Sequence, residues 1–83
     1  MRFTKEEINK LVSENIFALT YKKGVSAEEE LIESGILNSI TVAELAVALE
    51  KVFSISFSFM EITKENFCTL GYITNLILKK LNN

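Results

Sequence analysis

Residues 31–53 read LIESGILNSITVAELAVALEKVF, from Leu31 to Phe53, and the organisation of the chain turns on them. Val42, Leu45, Ala46, Leu49, Val52 and Phe53 recur every three or four residues, which lays one apolar stripe along a helix. The spacing predicts a helix over about 39–53. Asn38, Ser39 and Thr41 are each good N-cap residues, because a short side-chain oxygen there can accept the orphan amides of the first turn. Thr41 with Glu44 also has the spacing of a capping box. The start of this helix therefore stays open between these positions.

Upstream, residues 24–38 form a long connection. Loops of this length are uncommon and often functional. Leu31, Ile32, Ile36 and Leu37, placed around Ser34-Gly35, argue that it folds back onto the core, with a short helical turn near Ala27–Ile32. Before it, Thr4 precedes Glu7 by three residues, a capping-box signature. Ile8, Leu11, Val12, Ile16 and Leu19 follow at helical spacing. They predict a first helix over about 4–21, with Lys22 and Lys23 at its C-terminal dipole end and Gly24 as its stop.

Downstream, residues 54–59 alternate polar and apolar, which is a strand pattern in isolation. No second strand is predicted to pair with it, and an unpaired strand leaves its amides unsatisfied. An extended connection is expected instead, with Phe57 pushed into the core and Phe59 a second candidate. A short helix near 63–67 follows. Thr69 then caps a last helix carrying Leu70, Ile73, Leu76, Ile77 and Leu81, with Lys79 and Lys80 at its end. The expected fold is all-α, a small four-helix bundle of three main helices and a short third one, with a long loop between helices one and two. The 83 residues allow one domain, spanning 1–83, with a single modest core. The chain has no proline to interrupt these helices.

Composition removes several function classes. The net charge is −2 and no basic stripe is present, which argues against nucleic-acid binding. Glu28-Glu29-Glu30 is the densest acidic run and reads as a solvated turn or a first helical turn. No stretch reaches the length of a membrane span, and no apolar N-terminal run resembles a signal peptide. The single cysteine, Cys68, gives neither a disulfide nor a metal cluster, and a cytoplasmic location is expected. Cys68 itself reads as a small, buried or half-buried hydrophobe. Tyr21, Tyr72 and the phenylalanines read as core or rim residues. Histidine is absent, so a Ser-His-Asp or Cys-His arrangement cannot form, and an autonomous enzyme is not expected.

The stretch from Leu31 to Phe53 resembles the acyl and peptidyl carrier protein family. Members begin their second helix with an Asp-Ser-Leu motif, and here the triplet is Asn38-Ser39-Ile40. Glu44-Leu45, Ala48-Leu49-Glu50 and Phe53 continue in register. Residues 62–67 with Thr69 look like the third-helix region of free-standing carriers, of the D-alanyl carrier or natural-product-pathway type. The resemblance covers essentially the whole chain. Asn38 departs from the family's Asp: it keeps the cap and removes a charge. Ser58 likewise stands where the family often has proline.

The resemblance implies that Ser39 carries a covalent 4'-phosphopantetheine arm taken from coenzyme A, on which acyl or aminoacyl groups travel as thioesters. It implies three kinds of partner: a phosphopantetheinyl transferase, an acyl- or aminoacyl-loading enzyme, and a downstream transferase or synthase. A helix start suits an anionic attachment, since it presents free amides and the positive end of the dipole. Ile40, Ala43 and Val47, flanked by Glu44 and preceded by Asn38, are candidates for a small docking patch. The plain alternatives are that Ser39 is an ordinary N-cap and that Ile40 and Val47 extend the core. A monomer is expected of a shuttle. The competing functional reading is an unmodified interaction module with the same fold.

Overall fold

The computed structural model describes residues 3–82; residues 1, 2 and 83 of the expected 1–83 domain lie outside them. Four α-helices follow in order: α1 at Lys5–Thr20, α2 at Ser39–Phe53, α3 at Lys64–Phe67 and α4 at Leu70–Leu81. One 3-10 turn at Phe59–Glu61 precedes α3. The described residues contain no strand, so the fold is the all-α bundle that the apolar periodicities predict.

Each start is set by a side chain. Thr4 and Glu7 form the expected capping box: the Glu7 amide donates to Thr4 Oγ1 at 3.1 Å and the Thr4 amide to Glu7 Oε1 at 2.7 Å. Thr63 and Thr69 cap α3 and α4 through the amides of Asn66 and Tyr72.

The end of α1 differs from expectation. Tyr21, not Gly24, closes it, in the left-handed region at φ 63°. The cause is Thr20. Its hydroxyl donates to the Ile16 carbonyl at 2.7 Å and accepts the Lys22 amide at 3.2 Å, drawing that amide out of the helical ladder. Lys22 and Lys23 therefore fall beyond the helix rather than in its last turn, and Lys23 lies over the Phe17 ring, 5.6 Å from its centre.

The core is one cluster built from Ile8, Val12 and Ile16 of α1, Leu45 and Leu49 of α2, Phe67 of α3, and Ile73 and Ile77 of α4, all fully buried. α1 packs against both α2 and α4, and α3 packs against α4. Asn9 and Thr74 supply a polar tie across α1 and α4, with Thr74 Oγ1 donating to Asn9 Oδ1. That bond lets Thr74 be fully buried without an orphaned hydroxyl.

The long loop belongs to this core, as its apolar residues predict. Leu31 and Leu37 are buried and Ile32 and Ile36 pack against the cluster. The loop backbone is pinned to the start of α4. The Leu31 amide donates to the Cys68 carbonyl at 2.8 Å, and the Gly71 amide to the Ala27 carbonyl at 3.0 Å. The turn expected near Ala27–Ile32 is present as a single turn, in which the Glu29 amide donates to the Ser26 carbonyl at 3.3 Å, and a second turn follows it over residues 31–35. The Ser34 amide bonds the Glu30 carbonyl and the Gly35 amide bonds that of Ile32. Gly35, at φ 84°, then reverses the chain toward Leu37 at little cost, since it has no Cβ to clash there.

Phe57 enters the core, edge-on to Phe67. Glu50 directs it there, since its carboxylate accepts the Phe57 amide at 2.8 Å. Phe59 does not follow. It starts the 3-10 turn and is 92% exposed, because the turn breaks the alternation on which the expectation rested. Val52, expected on the buried stripe, sits at its margin and is exposed. Tyr21 and Tyr72 are exposed as well, beyond the rim position expected of them.

Candidate functional site

Where α2 begins decides where Ser39 points. Asn38 is the N-cap, with extended backbone. Its Oδ1 accepts the Ile40 amide at 2.9 Å and the Thr41 amide at 3.0 Å, while Thr41 Oγ1 accepts the Asn38 amide at 2.7 Å. This reciprocal cap resolves the choice among Asn38, Ser39 and Thr41. It also assigns Thr41 to the box with Asn38 rather than with Glu44. Ser39 becomes the first helical residue, and it is exposed.

The cap has an electrostatic consequence. Two of the first-turn amides that an anion would use are already bonded to Asn38 Oδ1. The cap leaves the Ser39 amide untaken, together with the positive end of the α2 dipole. An anion beside Ser39 therefore meets a weaker backbone receptor than a bare helix start would offer.

Beside Ser39 lies a cleft of about 110 Å³ lined by Ile32, Asn38, Ser39, Val42, Ile62 and Lys64. Three parts of the chain meet here: the long loop, the first turn of α2, and the approach to α3. Its walls are the apolar side chains of Ile32, Val42 and Ile62. Lys64 is the one charged group among the described residues lining it. Sequence reasoning did not find Ile62 or Lys64 as neighbours of Ser39. Neither belongs to the same element, and a surface lysine at a helix start carries no signal of what it faces.

The docking candidates lie along one side of α2. Ile40 is 69% and Val47 52% exposed, and Ala43 and Glu44 between them are exposed too. Positions 40, 43, 44 and 47 repeat at helical spacing, so they share one face. Ile40 and Val47 do not extend the core. Further along, Phe59 and Met60 are also exposed, two large apolar side chains that the alternating pattern concealed.

Cys68 is half-buried, and its thiol donates to the Glu65 carbonyl at 3.3 Å. This matches the small hydrophobe expected of it. Among the described residues no helix is long and apolar enough to cross a membrane.

An arm joined through a phosphodiester needs an accessible hydroxyl and room for an anion beside it. The exposed Ser39, the untaken first-turn amide and Lys64 fit such a group. No curated protein matches the chain significantly. A family model described as "phosphopantetheine attachment site" matches residues 15–71, which take in the long loop, all of α2 and α3, and the start of α4. The match spans more than half of the chain and includes the Asn38-Ser39-Ile40 triplet. The chain therefore belongs to the phosphopantetheine-attachment family, the acyl and peptidyl carrier proteins, whose members hold 4'-phosphopantetheine covalently on a serine.

Proposed function

We propose that Ser39 is the attachment residue, and that residues 1–83 act as one carrier domain that delivers acyl or aminoacyl groups between partner enzymes. The observation that carries this reading is the exposed Ser39 at the first position of α2, inside the matched segment and among the residues lining the cleft. When bound, the arm supplies a terminal thiol on which an acyl group is held as a thioester.

The chain's own part in loading is limited and specific. Asn38 and Thr41 fix the start of α2 and so the direction of the Ser39 side chain. Ser39 Oγ forms a bond to the pantetheine-side phosphorus of coenzyme A, and adenosine bisphosphate leaves as the pyrophosphate bond breaks. The hydroxyl proton passes to a base of the phosphopantetheinyl transferase, since this chain has no histidine to receive it. Carrier domains are typically non-enzymatic, and this division of labour agrees with that.

Docking runs through Asn38, Ile40, Ala43, Glu44 and Val47. A small apolar patch with one charge suits brief, weak contact with a transferase, a loading enzyme and a downstream transferase or synthase in turn. The carrier works as a monomer, in the cytoplasm.

The test is intact mass after incubation with coenzyme A and a promiscuous transferase. A single phosphopantetheine addition that disappears in Ser39→Ala is expected. Absence of any addition with several transferases would overturn the reading in favour of an unmodified interaction module.

A further inference from the structure

We propose that Lys64 positions the arm, pairing its ammonium with the phosphodiester on Ser39 and so seating the first part of the arm in the Ile32–Val42–Ile62 cleft. This inference rests on Ser39 being the attachment residue, and it adds where the arm lies once attached.

Three observations support it. The cleft brings one cation-bearing residue, Lys64, together with three apolar ones, and Ser39 is among its lining residues. The proximal end of the arm has the complementary chemistry: an anionic phosphodiester followed directly by a carbon bearing two methyl groups. Secondly, the cap on α2 has spent the amides of Ile40 and Thr41 on Asn38 Oδ1. A charge arriving on Ser39 then depends more on a side-chain cation than at an uncapped helix. Thirdly, Asn38 is neutral, so no carboxylate at the preceding position competes for Lys64.

Size sets how much of the arm is held. An apolar cavity of about 150 Å³ takes one benzene. At about 110 Å³, this cleft takes the dimethyl end of the arm and little more. The amide-bearing remainder and the thiol project away, which leaves the cargo open to partner enzymes. Lys64 is exposed and heads a four-residue helix, so the pair is a solvent-screened one. Exposed pairs contribute up to ~1 kcal/mol, which converts to as much as about a fivefold change in the ratio of docked to undocked arm.

The experiment uses the loaded protein. Wild type, Lys64→Gln and Lys64→Arg are each treated with coenzyme A and a transferase, and the added mass is checked first. Methyl NMR then reads the contacts between the arm's dimethyl protons and Ile32, Val42 and Ile62. Wild type and Lys64→Arg should show these contacts. In Lys64→Gln they should fall, by as much as about fivefold, as they should in wild type at about 1 M salt, where charges are screened within ~3 Å. Equal contacts in wild type and Lys64→Gln, both loaded, would overturn the role of Lys64 and leave the attachment intact. A wild type that gains no mass overturns the attachment reading, and this inference with it.

Discussion

Asn38 and Thr41 cap each other: Asn38 Oδ1 accepts the Thr41 amide at 3.0 Å, and Thr41 Oγ1 accepts the Asn38 amide at 2.7 Å. The placement of Ser39 depends on this exchange, because it makes Asn38 the cap and so fixes Ser39, the first of the two residues between them, as the first of α2. Asn38→Ala should therefore lower stability by about 1 kcal/mol, the usual cost of a lost cap. Asn38→Asp keeps the geometry and adds a charge at the positive end of the dipole. It should be neutral or stabilising by about 0.3–1 kcal/mol. Urea unfolding of the three proteins checks both, and an unchanged midpoint for Asn38→Ala would show that the cap is not holding the helix start.

Val47 gives the cleanest test of the docking face. It is half exposed, so Val47→Glu should change stability by no more than about 0.5 kcal/mol. The new carboxylate would lie one turn after Glu44 and one turn before Lys51, and these two helix pairs oppose each other. Docking is another matter, since a buried charge in an apolar contact is costly. A loss of about 1.4 kcal/mol, or tenfold in the transferase's KM for the carrier, is expected. A circular dichroism melt separates the fold from the contact. Unchanged KM would remove Val47 from the docking face.

Glu61 provides a pH-dependent tie. Its carboxylate pairs with Lys80 of α4 at 2.5 Å and also accepts the Ser58 amide at 2.8 Å, closing the 3-10 turn onto the last helix. The hydrogen bond from Lys80, followed by that from Ser58, holds the carboxyl below its ordinary value. A group whose value is depressed on folding contributes stability that is present above the ordinary carboxylate range. That contribution is lost as the pH falls through the depressed value. Acidification should thus loosen the Phe59–Glu61 turn first by the protonation of Glu61. Glu61→Gln should flatten this part of the pH–stability curve. The check is amide exchange at Ser58 and neighbouring residues as a function of pH; equal acid dependence in both proteins would contradict the assignment.

How much of this could be read from the sequence follows from how local each signal is. Caps are local, and Thr4 and Thr69 were legible, because a cap and the amides it bonds lie within three residues. For α2 the extent of about 39–53 was legible for the same reason, but three residues competed for its cap, and whether Ile40 and Val47 face solvent or the core stayed open until the helix was placed against its neighbours. The end of α1 was not. Gly24 is the stronger stop by propensity, yet the hydroxyl of Thr20 acts earlier in the chain. Phe59 was lost because alternation was carried one turn too far, past the point where Ser58 and Glu61 wind the chain. The cleft was invisible, since Ile32, Ser39, Ile62 and Lys64 meet only after the loop folds over the start of α4. Contacts of that kind leave no period in the sequence.

Gly71 tests how tightly that loop is docked. It is the second residue of α4, where alanine would ordinarily stabilise a helix by about 1 kcal/mol. Here its amide donates to the Ala27 carbonyl at 3.0 Å, and an added Cβ would stand only 3.3 Å from that same oxygen. The contact is with backbone, so relief requires the loop itself to move, and the loop carries the buried Leu31 a few residues on. Gly71→Ala should consequently show none of the usual gain, and amide exchange at Leu31 should quicken as its bond to Cys68 loosens. A stabilisation of about 1 kcal/mol with unchanged exchange at Leu31 would mean that the loop yields freely at Ala27, and that its grip on α4 is not what holds Ile32 against the cleft.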